Sequence, residues 1–263
     1  MHRNIVVKIG GSTLGSHDTT LEDLVELQKQ GLSIVVVHGG GQTASDWLSR
    51  LGIPTSFIRG LRVTDAESLK VVTAVFSGLV NKELVVAIQA LGGKAIGLSG
   101  SDGNLLRATI KNPELGYVGE IVKVDHTPLR LLLEKGYMPV VAPISAGVID
   151  DKMTLLNVNG DAAAGEIAAT MGAEKLVFLT DVDGIHDDSG KAIPRLTITE
   201  AKNMLASGTA SGGMIPKIEA CLKALTTVPI ARIVDGRVPH ALLNVIASET
   251  KQSLLGGTTI VPG

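Results

Sequence analysis

The first residues with the chemistry of a binding site are a lysine and the glycine turn that follows it. Lys8 lies in a run of β-branched residues that ends at Gly10 and Gly11. An ammonium group is costly to bury without a partner, and glycine lets a ligand approach the backbone closely. The N–H groups of such a turn and the lysine charge suit an anion such as phosphate. The alternative is a surface lysine that extends its ammonium group into water.

A second glycine turn follows the next apolar run. Residues 34–37 are all Ile or Val, and they lead into His38, Gly39, Gly40 and Gly41. In an open parallel sheet, both glycine turns lie at the carboxyl ends of strands, where ligands bind and helix amino termini point. His38 is interpreted as a neutral histidine that is hydrogen-bonded to the backbone, because no second histidine or carboxylate stands at metal-ligand spacing.

Polar residues alternate where a later strand ends. Asn157, Asn159 and Asp161 precede an alanine-rich stretch that predicts a helix, with Asn159 as its cap and Asp161 in its first turn. This stretch leaves a capping role and a role in a ligand site both open. Lys217 follows a glycine pair and stands in the first turn of another predicted helix, where the helix dipole disfavours a cation. A phosphate bound beside Lys217 would explain this placement, and a solvated lysine is the alternative.

Arg62 is the candidate for binding a carboxylate. It stands shortly before Thr64 and Asp65, either of which is expected to cap the next helix. A guanidinium group can hold a carboxylate through two hydrogen bonds, whereas an ordinary solvated charge would need no partner. The position alone leaves both interpretations open.

Other motifs argue against several kinds of site. Gly92-Gly93-Lys94 is not a Walker loop, because it lacks the first glycine at the required spacing and a Ser or Thr after the lysine. The aspartates from Asp181 to Asp188 fail the spacing of a calcium loop and lack its closing glutamate. The single cysteine, Cys221, excludes a disulfide framework and is interpreted as a small core residue.

The composition favours a protein that acts on a small molecule. The net charge is -2 and aromatic residues make up only 2% of the chain, which gives no support to a nucleic-acid or anionic-membrane surface. No charged leader is visible, and no apolar stretch is expected to approach the roughly 20 residues of a membrane span. We therefore expect a cytoplasmic protein without a nucleic-acid or membrane partner.

Apolar strands that alternate with amphipathic helices predict the fold that positions these residues. Continuous apolar runs are typical of a parallel sheet covered on both faces, as in α/β proteins. Between 105 and 124 the pattern changes to polar–apolar alternation, which indicates antiparallel hairpin strands outside that sheet. Two separate helices are predicted at 66–77 and 81–91, and a loop is predicted around Pro143 and Gly147. A boundary between two lobes is predicted near Gly172.

The motifs in this order resemble the amino acid kinase family. The resemblance covers nearly the whole chain, and within the family it is nearest to members that phosphorylate N-acetyl-L-glutamate. It rests on Lys8 with Gly10 and Gly11, His38 to Gly41, Gly60 to Thr64, Asn157 to Asn159 with Asp161, Thr180 to Val182, and Gly212 to Met214 with Lys217. It implies a three-layer αβα sandwich with a mainly parallel central sheet. Residues 1–172 would bind the acyl acceptor, residues 173–263 would bind ATP, and a phosphoryl group would pass to the γ-carboxylate in arginine biosynthesis.

The resemblance also implies residue roles. Lys8 and Lys217 would neutralise charge during phosphoryl transfer, and Asp161 would hold both ammonium groups. Arg62 would bind the α-carboxylate of the substrate, and Asn157 its acetylamino group. The implied substrate-binding residues are Gly40, Gly41, Arg62, Asn157 and Asn159. The implied nucleotide-binding residues are Gly10, Gly11, Thr180, Asp181, Val182, Gly212, Gly213 and Met214. Mg²⁺ would be held mainly by the nucleotide phosphates, without a metal site made by the protein.

Some features depart from the family pattern. The family commonly has alanine where this chain has Gly160, and glycine weakens the start of a helix. The nucleotide end also differs, at 226–228 and 254–258. No additional helix precedes Arg3, from which the resemblance implies an arginine-insensitive homodimer. Two alternatives stay open: a kinase for carrier-protein-bound aminoadipate or glutamate, and a non-catalytic anion-binding member of the same fold.

Overall fold

Strands and helices alternate along most of the chain. The computed structural model describes residues 4–10, 19–247 and 256–263. The strands of these residues are β1 (Asn4–Ile9), β2 (Ser33–His38), β3 (Phe57–Ile58), β4 (Leu61–Arg62), β5 (Ala95–Ser99), β6 (Leu106–Ile110), β7 (Val118–Val124), β8 (Met138–Ala142), β9 (Ile144–Ile149), β10 (Lys152–Val158), β11 (Lys175–Thr180), β12 (Arg195–Thr197), β13 (Ala231–Asp235) and β14 (Thr258–Val261). The α-helices are α1 (Thr20–Lys29), α2 (Gly41–Arg50), α3 (Ala66–Thr73), α4 (Asn81–Ala90), α5 (Thr127–Glu134), α6 (Gly160–Met171), α7 (Ile198–Ser207), α8 (Met214–Ala224) and α9 (Ala241–Ala247).

The central sheet has eight strands in the order β12-β14-β13-β11-β1-β2-β8-β5. Neighbouring strands are parallel except β13 and β14, which are antiparallel. Side chains alternate along β1, so that Val6 belongs to the core on one face and Val7 to the core on the other. Helices α6 and α8 pack on the Val6 face, and α1, α4 and α9 pack on the Val7 face. The predicted α/β sandwich with a mainly parallel sheet is therefore confirmed.

Four strands lie outside the central sheet and form a closed barrel in the order β10-β7-β6-β9. The antiparallel pairing of β6 with β7 confirms the hairpin predicted between 105 and 124. The loop predicted around Pro143 and Gly147 is wrong, because β9 begins at Ile144 and pairs with β10. Glycine at position 147 is suited to close contact between strands, since a Cβ there would lie 2.2 Å from the carbonyl oxygen of Ala108.

Residues 66–90 form one helix instead of the two that the sequence predicts. A π-helical segment, Ala74–Val80, joins α3 to α4, so the helix widens at the expected break without ending there. This helix is long and apolar enough to cross a membrane, whereas no such stretch was expected from the sequence. However, 44% of its most apolar 18-residue stretch is buried inside the protein. Core helices of globular proteins pass the same test, and Val72, Phe76 and Ile88 pack in the core here.

The carboxyl ends of β1, β2 and β11 lie side by side in the sheet. The glycine turn before α2 follows β2, and the loop towards β12 follows β11. Strand β10 leads directly into α6, whose first turn contacts β1 through Asp161 and Lys8. The fold therefore brings the polar segments predicted from the sequence to one edge of the sheet, as expected for parallel strands.

Candidate active site

Lys8, Asp161 and Lys217 form a cluster of two cations and one carboxylate, in which Lys8 and Asp161 are buried and Lys217 is partly buried. The Nζ of Lys8 lies 2.7 Å from Oδ1 of Asp161, and the Nζ of Lys217 lies 3.4 Å from Oδ2. Lys217 also donates to the carbonyl of Gly213 at 3.2 Å. Burial raises the pKa of the Asp161 carboxyl, but the charges of the two lysines outweigh this and leave the pKa below its ordinary value. Asp161 is therefore ionised at neutral pH.

Local structure explains how this cluster forms. Lys8 shares a face of β1 with Val6, and α6 packs on that face. Asn159 caps α6, since its Oδ1 accepts hydrogen bonds from the amides of Asp161 and Ala162, each at 2.9 Å. The predicted cap is thus confirmed, and it places Asp161 in the first turn, where the helix dipole favours a carboxylate.

One cavity of about 190 Å³ opens on the Lys8 side of the cluster. We call it the Lys8 cavity. Its lining is Lys8, Gly39, Gly40, Gly41, Phe57, Gly60, Leu61, Arg62, Phe76, Val118, Pro143, Asn157, Val158, Asn159, Gly160 and Asp161. All five residues that the resemblance assigned to substrate binding therefore lie around one space.

Arg62 is buried in the Lys8 cavity without an acidic partner in the described part of the chain. Its Nη2 donates to the carbonyl of Gly41 and to the hydroxyl of Ser45, both at 2.8 Å. Its Nη1 is buried and has no hydrogen-bond partner, and the guanidinium carbon lies 4.9 Å from the ring centre of Phe57. Burial lowers the pKa of Arg62 from its usual value. A carboxylate at Nη1 would supply the missing acceptor and a countercharge.

The glycine turn forms another wall of the Lys8 cavity. Gly40 has a φ of +150°, and a Cβ at this position would lie 2.9 Å from Cδ1 of Phe76. Only glycine fits this conformation and this contact. Helix α2 begins at Gly41, so its first amides point out of the helix without intrahelical partners, which favours an anion in front of them.

A second cavity, of about 380 Å³, lies on the other side of the cluster. We call it the Lys217 cavity. Its lining is Thr180, Asp181, Val182, Gly184, Ile185, His186, Thr209, Ala210, Ser211, Gly213, Met214 and Lys217. Most residues that the resemblance assigned to the nucleotide lie here. The carboxylate of Asp161 thus links a lysine of one cavity to a lysine of the other.

Two residues assigned to the nucleotide have a different position, and a third lies outside the described residues. Gly10 and Gly212 are not part of the lining of the Lys217 cavity. The amide of Gly10 donates to the carbonyl of Leu179 at 3.1 Å, so this N–H group is used within the sheet. Gly11 lies outside the described residues, as do residues 254 and 255 of the altered tail.

Sequence reasoning missed two aromatic residues that line the Lys8 cavity and one hydroxyl group that contacts a lining residue. Phe57 and Phe76 are two of the three phenylalanines in the chain. That scarcity was a usable signal, although nothing local shows that the two rings line the same space. Thr64, expected only as a helix cap, accepts a hydrogen bond from the amide of Asn157 at 3.1 Å, while Asp65 caps α3.

Among residues 4–10, 19–247 and 256–263, no three His, Cys, Asp or Glu side chains gather in a way that could hold a metal ion. Asp161, the carboxylate between the cavities, already pairs with both lysines. The side chains of the described residues therefore do not fit a metal site made by the protein.

Comparison with known proteins agrees with this architecture. The family model described as the amino acid kinase family matches residues 3–234. The chain belongs to the amino acid kinase family. Within this family it is 44% identical to an acetylglutamate kinase of Dehalococcoides mccartyi over 98% of this chain and 94% of that one. It is 47% identical to an acetylglutamate kinase of Nostoc sp. over 92% of this chain and 83% of that one. The solved structure of smu.665 from Streptococcus mutans superposes with a TM-score of 0.83 at 26% identity, with both chains fully covered.

Proposed function

We propose that this chain phosphorylates the γ-carboxylate of N-acetyl-L-glutamate with ATP, in arginine biosynthesis. The observation that carries the proposal is the pairing of one carboxylate, that of Asp161, with Lys8 of one cavity and Lys217 of the other. The names and high coverage of the acetylglutamate kinase relatives support this substrate. The chain is a kinase, and its proposed acceptor is a carboxyl group.

The proposed reaction needs charge neutralisation and not a general base. A γ-carboxylate has an ordinary pKa of about 4.3 and is already ionised at neutral pH. The obstacle is the approach of an anionic acceptor to an anionic phosphoryl group, whose oxygens carry charge in the transition state. Lys8 and Lys217 would stabilise that charge from opposite sides, and Asp161 would keep both ammonium groups in position before the reactants arrive.

The Lys8 cavity is proposed to hold the acceptor. The unpaired Nη1 of Arg62 supports a contact with the α-carboxylate, since no other acceptor reaches it in the described part of the chain. Asn157 is proposed to contact the acetylamino group, with its side chain held by Thr64. The helix-start amides at Gly41 would face the γ-carboxylate or the transferring phosphoryl group.

The Lys217 cavity is proposed to hold ATP, with its phosphates towards Lys217. The Lys217 cavity has twice the volume of the Lys8 cavity, which agrees with a nucleotide being the larger of the two substrates. This assignment makes residues 1–172 the acceptor lobe and 173–263 the nucleotide lobe. Mg²⁺ would enter with the nucleotide phosphates, and no residue of this chain is assigned to it.

The setting is proposed from the resemblance. We expect a cytoplasmic homodimer that acts on small molecules, without nucleic-acid or membrane partners. Light scattering of the purified protein tests the dimer, and a monomer at micromolar concentration would contradict it.

A coupled assay of ADP release tests the substrate. The purified chain is incubated with ATP, Mg²⁺ and one of three acceptors: N-acetyl-L-glutamate, L-glutamate or L-aspartate. We expect turnover with N-acetyl-L-glutamate. Turnover with none of the three would contradict the proposal and favour a carrier-bound acceptor or a non-catalytic, anion-binding protein.

A further inference from the structure

A buried polar chain lies directly behind the glycine turn. His38, the last residue of β2, and Asn81, the first residue of α4, are both fully buried. The Nδ2 of Asn81 lies 3.1 Å from Nε2 of His38, and the Nδ1 of His38 lies 2.7 Å from the carbonyl oxygen of Gly39. Neither residue lines the Lys8 cavity, yet they connect the long helix to the turn that does.

The hydrogen-bond partners determine the tautomer of His38. The Nδ2 of Asn81 also lies 2.8 Å from the carbonyl oxygen of Val140, and its Oδ1 accepts a hydrogen bond from Nζ of Lys82 at 2.9 Å. This fixes the orientation of the amide, which donates to Nε2 of His38. Nε2 is then the acceptor, and the proton of the neutral ring is on Nδ1, where it is donated to Gly39.

Electrostatics support a neutral ring. The charged groups that face His38 are the ammonium groups of Lys8, on β1, and Lys82, on α4. Burial lowers the pKa of His38 to about 4, the hydrogen bond to Gly39 acts in the opposite direction, and both lysines add to the lowering. His38 therefore holds the Gly39 carbonyl without adding a third positive charge beside Lys8.

The turn is held at several points. The amide of Gly39 donates to the carbonyl of Ile9 at 3.0 Å, while its carbonyl accepts from His38. The next residue, Gly40, packs against Phe76 and Val80, which belong to the same helix as Asn81. Both backbone groups of Gly39 are thus fixed just before the helix-start amides of α2.

We propose that Asn81 and His38 are positioning residues for the acceptor. The hydrogen bonds from Asn81 to His38 and from His38 to Gly39 hold the glycine turn in the conformation that binds the acceptor. The inference rests on the proposed function, because it names the machinery that orients one wall of the Lys8 cavity. Asn81 selects the ring tautomer, the ring orients the Gly39 peptide, and that peptide directs the amides at Gly41 towards the acceptor.

The first test uses steady-state kinetics of Asn81→Ala, with Glu83→Gln as the matched control. Glu83 is an exposed residue of the same helix turn. We expect Asn81→Ala to lower kcat/KM for N-acetyl-L-glutamate roughly a hundredfold, as a small misplacement of reacting groups does, with the KM for ATP unchanged. Glu83→Gln is expected to match the unmodified chain.

Conservative replacement at position 38 separates positioning from folding. The amide of Asn can take the place of Nδ1 and donate to Gly39, so His38→Asn is expected to retain more activity than His38→Ala at equal thermal stability. NMR of the ¹⁵N-labelled unmodified protein is expected to show His38 neutral, with the proton on Nδ1. Asn81→Ala is expected to change that signal, since Nε2 loses its donor.

The outcomes distinguish the two proposals. If the unmodified chain turns over N-acetyl-L-glutamate but Asn81→Ala behaves like Glu83→Gln, or raises both KM values equally, the positioning role is wrong and the function stands. A proton on Nε2 of His38 also overturns the positioning role. If the unmodified chain has no turnover with any acceptor, the proposed function fails, and the positioning role fails with it.

Discussion

The charge of Asp161 is balanced by two ammonium groups, which makes this residue sensitive to neutralisation. Asp161→Asn would leave Lys8 and Lys217 close together without a countercharge. We expect the free energy of unfolding to fall by about 3 kcal/mol, as when one partner of a buried ion pair is removed. Phosphoryl transfer is expected to become undetectable. Chemical denaturation and the ADP-release assay measure the two effects.

Glu166→Gln is the matched control in the same helix. Glu166 pairs with Lys223 at 3.1 Å, but the Lys223 side chain is half exposed. Such a pair contributes about 0–1 kcal/mol. If Asp161→Asn destabilises no more than Glu166→Gln, the buried cluster does not stabilise the fold in the way described.

His38 gives the stability of the protein a defined pH dependence. Its pKa is about 4 in the folded state, against an ordinary value of 6.5. As pH falls from 6.5 to 4, the unfolded chain takes up a proton that the folded chain does not. The free energy of unfolding therefore decreases by up to about 1.4 kcal/mol per pH unit in this window. Denaturation curves at several pH values measure it.

His38→Asn is expected to remove this slope. Carboxyl groups with a lowered pKa act mainly at lower pH, since their ordinary values are 3.8 for Asp161 and 4.5 for Glu200, and the raised pKa of His240, caused by Asp23, matters above 6.5. An unchanged slope in His38→Asn between pH 6.5 and 4 would show that another group is responsible.

Residue types singled out Lys8, Asp161 and Lys217 as candidates, but each also had a structural explanation: a surface lysine, a helix cap and a solvated lysine. Only the resemblance to the amino acid kinase family joined the three into one predicted site. The bond from Asn81 to His38 was not predictable, since an asparagine within a helical pattern has no local feature that identifies a distant partner. The role of Asn81 depends on its contacts with the carbonyls of Leu98 and Val140, which only the folded chain brings near it.

At the level of elements, the start of α6 offers a test of stability. A Cβ on Gly160 would meet its nearest neighbour, the carbonyl oxygen of His38, at 3.4 Å, which is ordinary contact. Gly160→Ala is therefore expected to stabilise the protein by about 0.5 kcal/mol, because alanine restricts the unfolded chain. Thermal unfolding should show a higher Tm.

Gly165→Ala provides the contrast within the same helix. A Cβ on Gly165 would lie 2.6 Å from the carbonyl oxygen of Ala220, because α6 packs closely on α8. This variant is expected to have a lower Tm. If both alanine variants raised Tm, helix propensity and not packing would decide the outcome; if both lowered it, Gly160 would also be closely packed.

The elements that the sequence mispredicted share a physical cause. Residues 66–90 contain Gly78 between two apolar patterns, and local reasoning places a break there, but packing of both parts against one sheet face keeps the helix continuous as a π-helical segment. Strand β9 contains Gly147, which usually indicates a loop, although close contact between strands here requires it. In both cases tertiary contacts override local preference.

At the scale of the whole molecule, the continuous sheet predicts one cooperative unfolding transition. Strand β1 pairs with β11 on one side and with β2 on the other, so the two halves of the chain share a single sheet. Fluorescence of Trp47, the only tryptophan, reports the amino-terminal half, and far-ultraviolet circular dichroism reports all helices. We expect both probes to give the same midpoint in denaturant. Separate midpoints would show that the halves unfold independently.

The alternation of strands and helices was enough to predict the layered fold, because each apolar run must be covered on both faces. Closure of the barrel and the placement of Phe57 and Phe76 around one cavity were not predictable, since they depend on the relative position of segments remote in sequence. The cavities therefore follow from the whole molecule, although most of their polar residues are visible in local motifs.

The shared carboxylate of Asp161 also has a thermodynamic consequence. An anion that binds Lys217 competes with Asp161 for that ammonium group, and so changes how strongly Asp161 holds Lys8. The affinities of the two cavities are then linked, and linkage is reciprocal: the factor by which one ligand changes the affinity for the other is the same in both directions. Two oxygen atoms of one side chain are sufficient to transmit this cooperativity, without any movement of one half of the chain against the other.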